Sequence, residues 1–123
     1  MHEVDHAIHV KTIFCDIDGC LVEHHPPTEV TQKPTNVLDG TVPKILEWIS
    51  RGYTIILTTG RPESLREFTE QQLSVEGIVY HKLIMDLPRG QRVVINDYKV
   101  GRTMQPATGI CIKRNEGLND VDI

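Results

Sequence analysis

Residues 10–19 read VKTIFCDIDG, and the first half of that stretch decides what the second half can do. Val10, Ile13, Phe14 and Cys15 make a short apolar run rich in β-formers, which stops at once in Asp16, Ile17, Asp18 and Gly19. An uninterrupted apolar run of this length is the habit of a strand buried inside a parallel sheet. Side chains two apart on an extended segment point the same way, so Asp16 and Asp18 leave the strand end on one side. A buried strand that delivers two carboxylates to a turn predicts a functional edge.

The flanks repeat the pattern. Residues 23–40 hold three prolines and many turn formers and predict an irregular excursion with at most a short hairpin. Val42, Ile45, Leu46 and Ile49 recur at helical spacing, with Thr41 placed as N-cap, Pro43 in the first turn and Gly52 past the end. Residues 53–58 (YTIILT) form a second apolar strand. Gly60, Arg61 and Pro62 turn it into a helix over 62–75 with Leu65, Phe68 and Leu73 inward, stopped by Gly77. Residues 78–85 contain short strand pieces, 88–91 (PRGQ) a turn, and 92–95 (RVVI) a further buried strand that delivers Asn96 and Asp97. Residues 108–112 predict a last strand, while 1–9 and the polar 113–123 are expected to be peripheral or frayed. Strands alternating with helices predict an α/β domain over 1–123, a three-layer Rossmann-like parallel sheet with helices on both faces.

Composition agrees with one ordinary domain: 123 residues, 39% hydrophobic and 24% charged. No apolar stretch approaches the roughly 20 residues of a membrane-spanning helix. The first residues, with Glu3 and Asp5, lack the pattern of a signal peptide, so the cytoplasm is the expected compartment. Net charge is −4 and the 13 lysines and arginines are scattered, which argues against a general nucleic-acid surface and leaves room for a phosphorylated small molecule. Cys15, Cys20 and Cys111 lack CxxC spacing and read as reduced thiols, Cys15 and Cys111 as small core residues.

In parallel sheets ligands sit beyond the carboxyl ends of the strands. That rule selects Asp16 and Asp18, Thr59 and Arg61, and Asn96 and Asp97 from three separate strand ends. Three gathered carboxylates repel one another unless a cation intervenes. Mg²⁺, which takes one or two carboxylates, waters and phosphate oxygens, suits the set better than Ca²⁺; no closing glutamate follows at calcium-loop spacing, and zinc would want His or Cys.

With these residues in view, 12–19 (TIFCDIDG) resembles the first motif of the haloacid dehalogenase-like phosphohydrolases, 55–61 (IILTTGR) their second, and 93–97 (VVIND) their fourth. The resemblance implies that Asp16 is the nucleophile forming an aspartyl-phosphate and Asp18 the general acid and then base. It implies that Thr59 hydrogen-bonds the transferring phosphoryl group, with Gly19, Gly60, Arg61 and Asn96 around the substrate. Asp16, the backbone carbonyl of Asp18, and Asp97 would hold Mg²⁺. The family's third-motif lysine has no matching helix here. Lys82, Arg89, Arg92 and Lys99 are candidates for that cation, with Lys82 and Lys99 ahead because they flank strand ends.

Family members carry specificity caps between the first and second motifs or between the second and third, and neither interval here holds a cap domain. The resemblance is therefore to the capless branch, whose members act on large substrates or borrow a wall from a neighbouring subunit, so a homo-oligomer is expected. The leading expectation is a Mg²⁺-dependent phosphomonoesterase for a sugar phosphate or related metabolite. Alternatives are a nucleic-acid 3′-end phosphatase, as in the phosphatase halves of polynucleotide kinases, and a catalytically weak module that binds phosphate or a partner.

Overall fold

The computed structural model describes residues 10–98, 101 and 105–123. Strand β1 (Thr12–Asp16) leads through the irregular excursion to helix α1 (Thr41–Ser50) and strand β2 (Thr54–Thr58). A 3₁₀ turn (Glu63–Leu65) runs into helix α2 (Arg66–Val75), and strand β3 (Lys82–Ile84) follows. The sheet is parallel in the order β1-β2-β3, with Asp16 beside Thr58 and Thr58 beside Ile84. This is the α/β, Rossmann-like arrangement read from the alternating pattern. Among the described residues no helix is long and apolar enough to cross a membrane.

A sheet that grows in one direction through right-handed crossovers carries both helices to the same face. The core agrees: Ile13, Ile55 and Leu57 pack with Ile45 and Trp48 of α1 and Leu73 of α2. On the other face Phe14 is 60% exposed and Ile84 is also exposed. The expected helical layer on that face is not formed by the described residues, because it needs crossovers that reverse direction, and here there are none.

Other expectations change in detail. Trp48, not Leu46, completes the buried stripe of α1. Gly40 occupies the N-cap position, and the Thr41 hydroxyl instead donates to the Leu21 carbonyl at 2.8 Å, which also accepts from Leu38 N–H. Those bonds tie the loop after β1 to the start of α1. The excursion keeps only isolated bridges, Asp18 to Val22 and Val22 to Val37. Cys111 is exposed and not a core residue.

Residues 92–95 and 108–112, expected as strands, are irregular. Val93, Val94 and Ile95 are exposed, Ile95 at 93%. β-formers make a strand only where a neighbour completes the ladder and a face is covered, and among the described residues neither condition is met here. The C-terminal 113–123 differs in the opposite sense: it is docked, not frayed. Leu118 and Val121 are buried in the core, Leu118 N–H donates to Asp39, and Lys44 donates to the Val121 carbonyl. Gly117, at φ 85°, lets the chain pass so close to the Asp39 backbone that any Cβ would collide with it.

Candidate active site at the carboxyl ends of the strands

Asp16 closes β1, and the chain then turns sharply. The Ile17 carbonyl accepts from the N–H groups of Cys20, Leu21 and Val22, and Gly19 takes φ 85°, which favours glycine. Ile17, fully buried, anchors the turn and holds Asp16 and Asp18 on either side of it. From β2, Thr59 follows the strand, its N–H bonded to the Ile84 carbonyl and its own carbonyl to Leu87 N–H. The next turn is held by Arg61, whose carbonyl accepts from Asp86 N–H. The corner is thus locked to the end of β3.

Arg61 is only 1% exposed and is the organising residue. Its guanidinium grips Asp18 with two bonds, Nε to Oδ2 at 3.1 Å and Nη2 to Oδ1 at 2.8 Å. Nη1 donates to Thr69 Oγ1 at 3.0 Å and Gln72 Oε1 at 2.8 Å, both on the inner side of α2. The Thr59 hydroxyl donates to Asp18 at 3.4 Å and accepts from Arg61 N–H at 3.1 Å. Gln72 in turn donates to Thr35, which joins the excursion to α2. A buried arginine is tolerable only with partners of this quality, and a planar fork fits a carboxylate as no lysine can.

The structure therefore brings together Asp16, Asp18, Gly19, Thr59, Gly60 and Arg61, but it turns Arg61 inward. Arg61 grips Asp18 and is not among the residues that line the cavity beside Asp16. Thr69 and Gln72 were missed by reading α2 for apolar side chains alone. Their signal was polar residues three apart at core-facing helix positions, which demand a buried polar partner.

Partial desolvation at the strand end, followed by the charge of Asp18, raises the Asp16 carboxyl above its ordinary range; the Ile17 backbone N–H, Arg92 and His24 act in the opposite sense. Burial pushes the Cys15 thiol up to about 12 and the Cys20 thiol to about 11, so both remain protonated near neutrality. Asp16, Asp18, Gly19 and Cys20, together with Ile112 and with Arg114 of the docked C-terminal segment, line a cavity of about 160 Å³.

The remaining expected residues are not assembled there. Asn96 and Asp97 lie in the exposed irregular stretch, and Asn96 donates to the Pro106 carbonyl. Lys82 is exposed on β3 near its start. Lys99 lies outside the described residues. Among the described residues no three His, Cys, Asp or Glu side chains stand together as a metal site. Asp16 has no second free carboxylate beside it, since Asp18 is held by Arg61. The expected Mg²⁺ set of three strand ends does not fit this arrangement.

No family model matches the chain, and no curated protein matches it. Among solved structures it is similar to a chain of the Pnkp1/Rnl/Hen1 complex, at 28% identity and TM-score 0.56, over 64% of this chain and 28% of that one. A second structure, of the Pnkp1/Rnl/Hen1 RNA repair complex, gives 28% identity and TM-score 0.55 over 74% of this chain. The chain thus spans about 28% of the length of these neighbours. A D,D-heptose 1.7-bisphosphate phosphatase from B. bronchiseptica, complexed with magnesium and phosphate, aligns at 19% identity and TM-score 0.43, over 66% of this chain and 51% of that one.

Proposed function

We propose that the chain is a phosphomonoesterase that works through an aspartyl-phosphate on Asp16. The observation that carries the reading is the pair of carboxylates at the end of β1, opening on one small cavity, with Asp18 clamped from the neighbouring strand end by Thr59 and Arg61. A carboxylate at a partly desolvated strand end is a suitable nucleophile, and a second one fixed two residues on is a suitable acid and base.

In the first step an Asp16 carboxylate oxygen attacks phosphorus while the ester P–O bond breaks, and Asp18, protonated on an oxygen released from the Arg61 fork, gives that proton to the departing oxygen. In the second, water attacks phosphorus as Asp18 takes the proton, releasing inorganic phosphate and the Asp16 carboxylate. The Arg61 clamp with Thr69 and Gln72 holds Asp18 at one rotamer and keeps its side chain from drifting, so orientation is fixed before substrate arrives. Because Asp97 does not join Asp16 and Asp18 among the described residues, no step of this proposal is routed through Mg²⁺, and turnover is expected to survive EDTA.

For the substrate, a sugar phosphate or related metabolite is one reading. A nucleic-acid 3′-end phosphatase is the second, and the 28% likeness to a chain of an RNA repair complex supports it. A cavity of about 160 Å³ admits a phosphoryl group and leaves the rest of the substrate outside, as an end of a polymer requires. Steady-state hydrolysis of a 3′-phosphorylated oligoribonucleotide, a hexose phosphate and an aryl phosphate, by wild type and Asp18→Asn, tests both. Preference for the oligonucleotide selects the second reading. Full activity of Asp18→Asn on all three rejects the acid and base role.

A further inference from the structure

The sequence offers lysines for the cation that faces substrate phosphate, but the fold places another residue at the cavity. We propose that Arg114 is the phosphate-binding residue of this site. The inference rests on the phosphomonoesterase reading above and deepens it.

Arg61 is committed elsewhere. It spends its donors on Asp18, Thr69 and Gln72, so a dianionic phosphoryl group beside Asp16 needs a separate cation. Arg92 acts electrostatically on Asp16, but its Nη1 is occupied by the carbonyls of Pro88 and Gly90. Arg114 lines the cavity together with both carboxylates, and among the described residues no hydrogen bond or ion pair engages its guanidinium.

Its place is built and not accidental. Asn115 N–H donates to the Gly19 carbonyl at 2.9 Å, and the Asn115 side chain accepts from His24 N–H at 2.8 Å. Asn115 takes φ 66°, a conformation asparagine tolerates, which bends the chain back onto the turn after β1. Gly19 is then pressed against Arg114: a Cβ there would stand 3.1 Å from Arg114 Cγ and 3.8 Å from Nε. The glycine turn that exposes the two aspartates and the C-terminal turn that carries the arginine are thus one bonded unit. With its stem against Gly19 and its guanidinium unengaged among the described residues, Arg114 offers phosphate oxygens a planar, bidentate grip that a lysine does not. This also gives the docking of 113–123 a purpose beyond filling the core.

Calorimetric titration of inorganic phosphate into the full chain tests it, alongside hydrolysis of the preferred ester. Arg114→Met keeps the stem against Gly19, Arg114→Lys keeps the charge, and Lys33→Met, on an exposed loop, makes the same charge change away from the site. The expected result is phosphate binding at least ten-fold weaker in Arg114→Met, part of it recovered in Arg114→Lys, none lost in Lys33→Met, with KM rising more than kcat falls. Thermal unfolding reads folding separately, and Arg114→Gln replaces Arg114→Met if the latter does not fold. Equal binding by wild type and Arg114→Met, or no phosphate binding by wild type, overturns the proposal. Arg114-dependent phosphate binding without turnover of any ester would retire the hydrolase reading alone.

Discussion

Two stretches of this chain read almost alike and fold quite differently. IILTTGR at 55–61 and RVVIND at 92–97 are both apolar β-rich runs that end in polar residues, and both were expected to be buried strands feeding the same site. The first became β2, paired on both sides, with Leu57 fully buried and Arg61 drawn into the protein. The second is exposed, and among the described residues its Asp97 forms no metal-ligating group with Asp16 and Asp18. What separates them is neighbours: β2 lies between two strands and under two helices, whereas among the described residues 92–97 has neither a ladder partner nor a covering layer. Strand identity is a property of the sheet before it is a property of the string.

Breaking the ordered side of the comparison gives the largest effects. Arg61→Met leaves Asp18, Thr69 and Gln72 around a hole with no positive charge. The loss is expected to be about 3–5 kcal/mol by chemical denaturation, the range for removing one partner of a buried pair. A loss below about 1 kcal/mol would mean that Asp18 readily turns to solvent. Next, Leu57→Ala on β2 should cost about 2–5 kcal/mol, as for other buried leucines. Val94→Ala, in the look-alike stretch, should stay within about 0.5 kcal/mol. Equal costs at the two positions would show that 92–97 packs in solution after all.

Asp16→Asn sharpens the comparison at the site itself. Its carboxyl is raised in the folded protein by partial desolvation and then by Asp18, so folding favours the protonated form. That contribution is present below the ordinary carboxylate value and lost as pH rises through the raised one. The wild type should therefore lose Tm relative to Asp16→Asn between mildly acidic and neutral pH, and the variant should melt higher at neutrality while losing turnover. A variant that melts lower at every pH would contradict the assignment of strain to this carboxyl. The smallest effect is chemical: exposed Cys111 should be alkylated by iodoacetamide well before Cys20 and Cys15, whose thiols are pushed up to about 11 and 12. Cys15 reacting first would show that β1 opens.

Much of the fold and site could be read from residue types. The strand and carboxylate pattern at 12–18, the helix over 41–50 and the glycine, arginine and proline turn at 60–62 each carried a local cause that the structure obeys. The failures share another cause. Arg61 was read outward because an arginine at a strand end can serve either substrate or scaffold, and only the buried Thr69 and Gln72 decide for scaffold. The C-terminal segment was read as frayed because Leu118 and Val121 are diluted by polar neighbours, and their burial depends on the distant Asp39 and Lys44. Arg114 was invisible for the same reason, since nothing local says that residue 114 returns to residue 19.

The nucleophile is the centre of the account, and a covalent intermediate is its most direct signature. A radiolabelled phosphate ester mixed with wild-type protein, quenched in acid on the millisecond scale and mapped by proteolysis, should leave label on the peptide containing Asp16 and none on Asp16→Asn. Label on another residue, or turnover by Asp16→Asn at the wild-type rate, would contradict it.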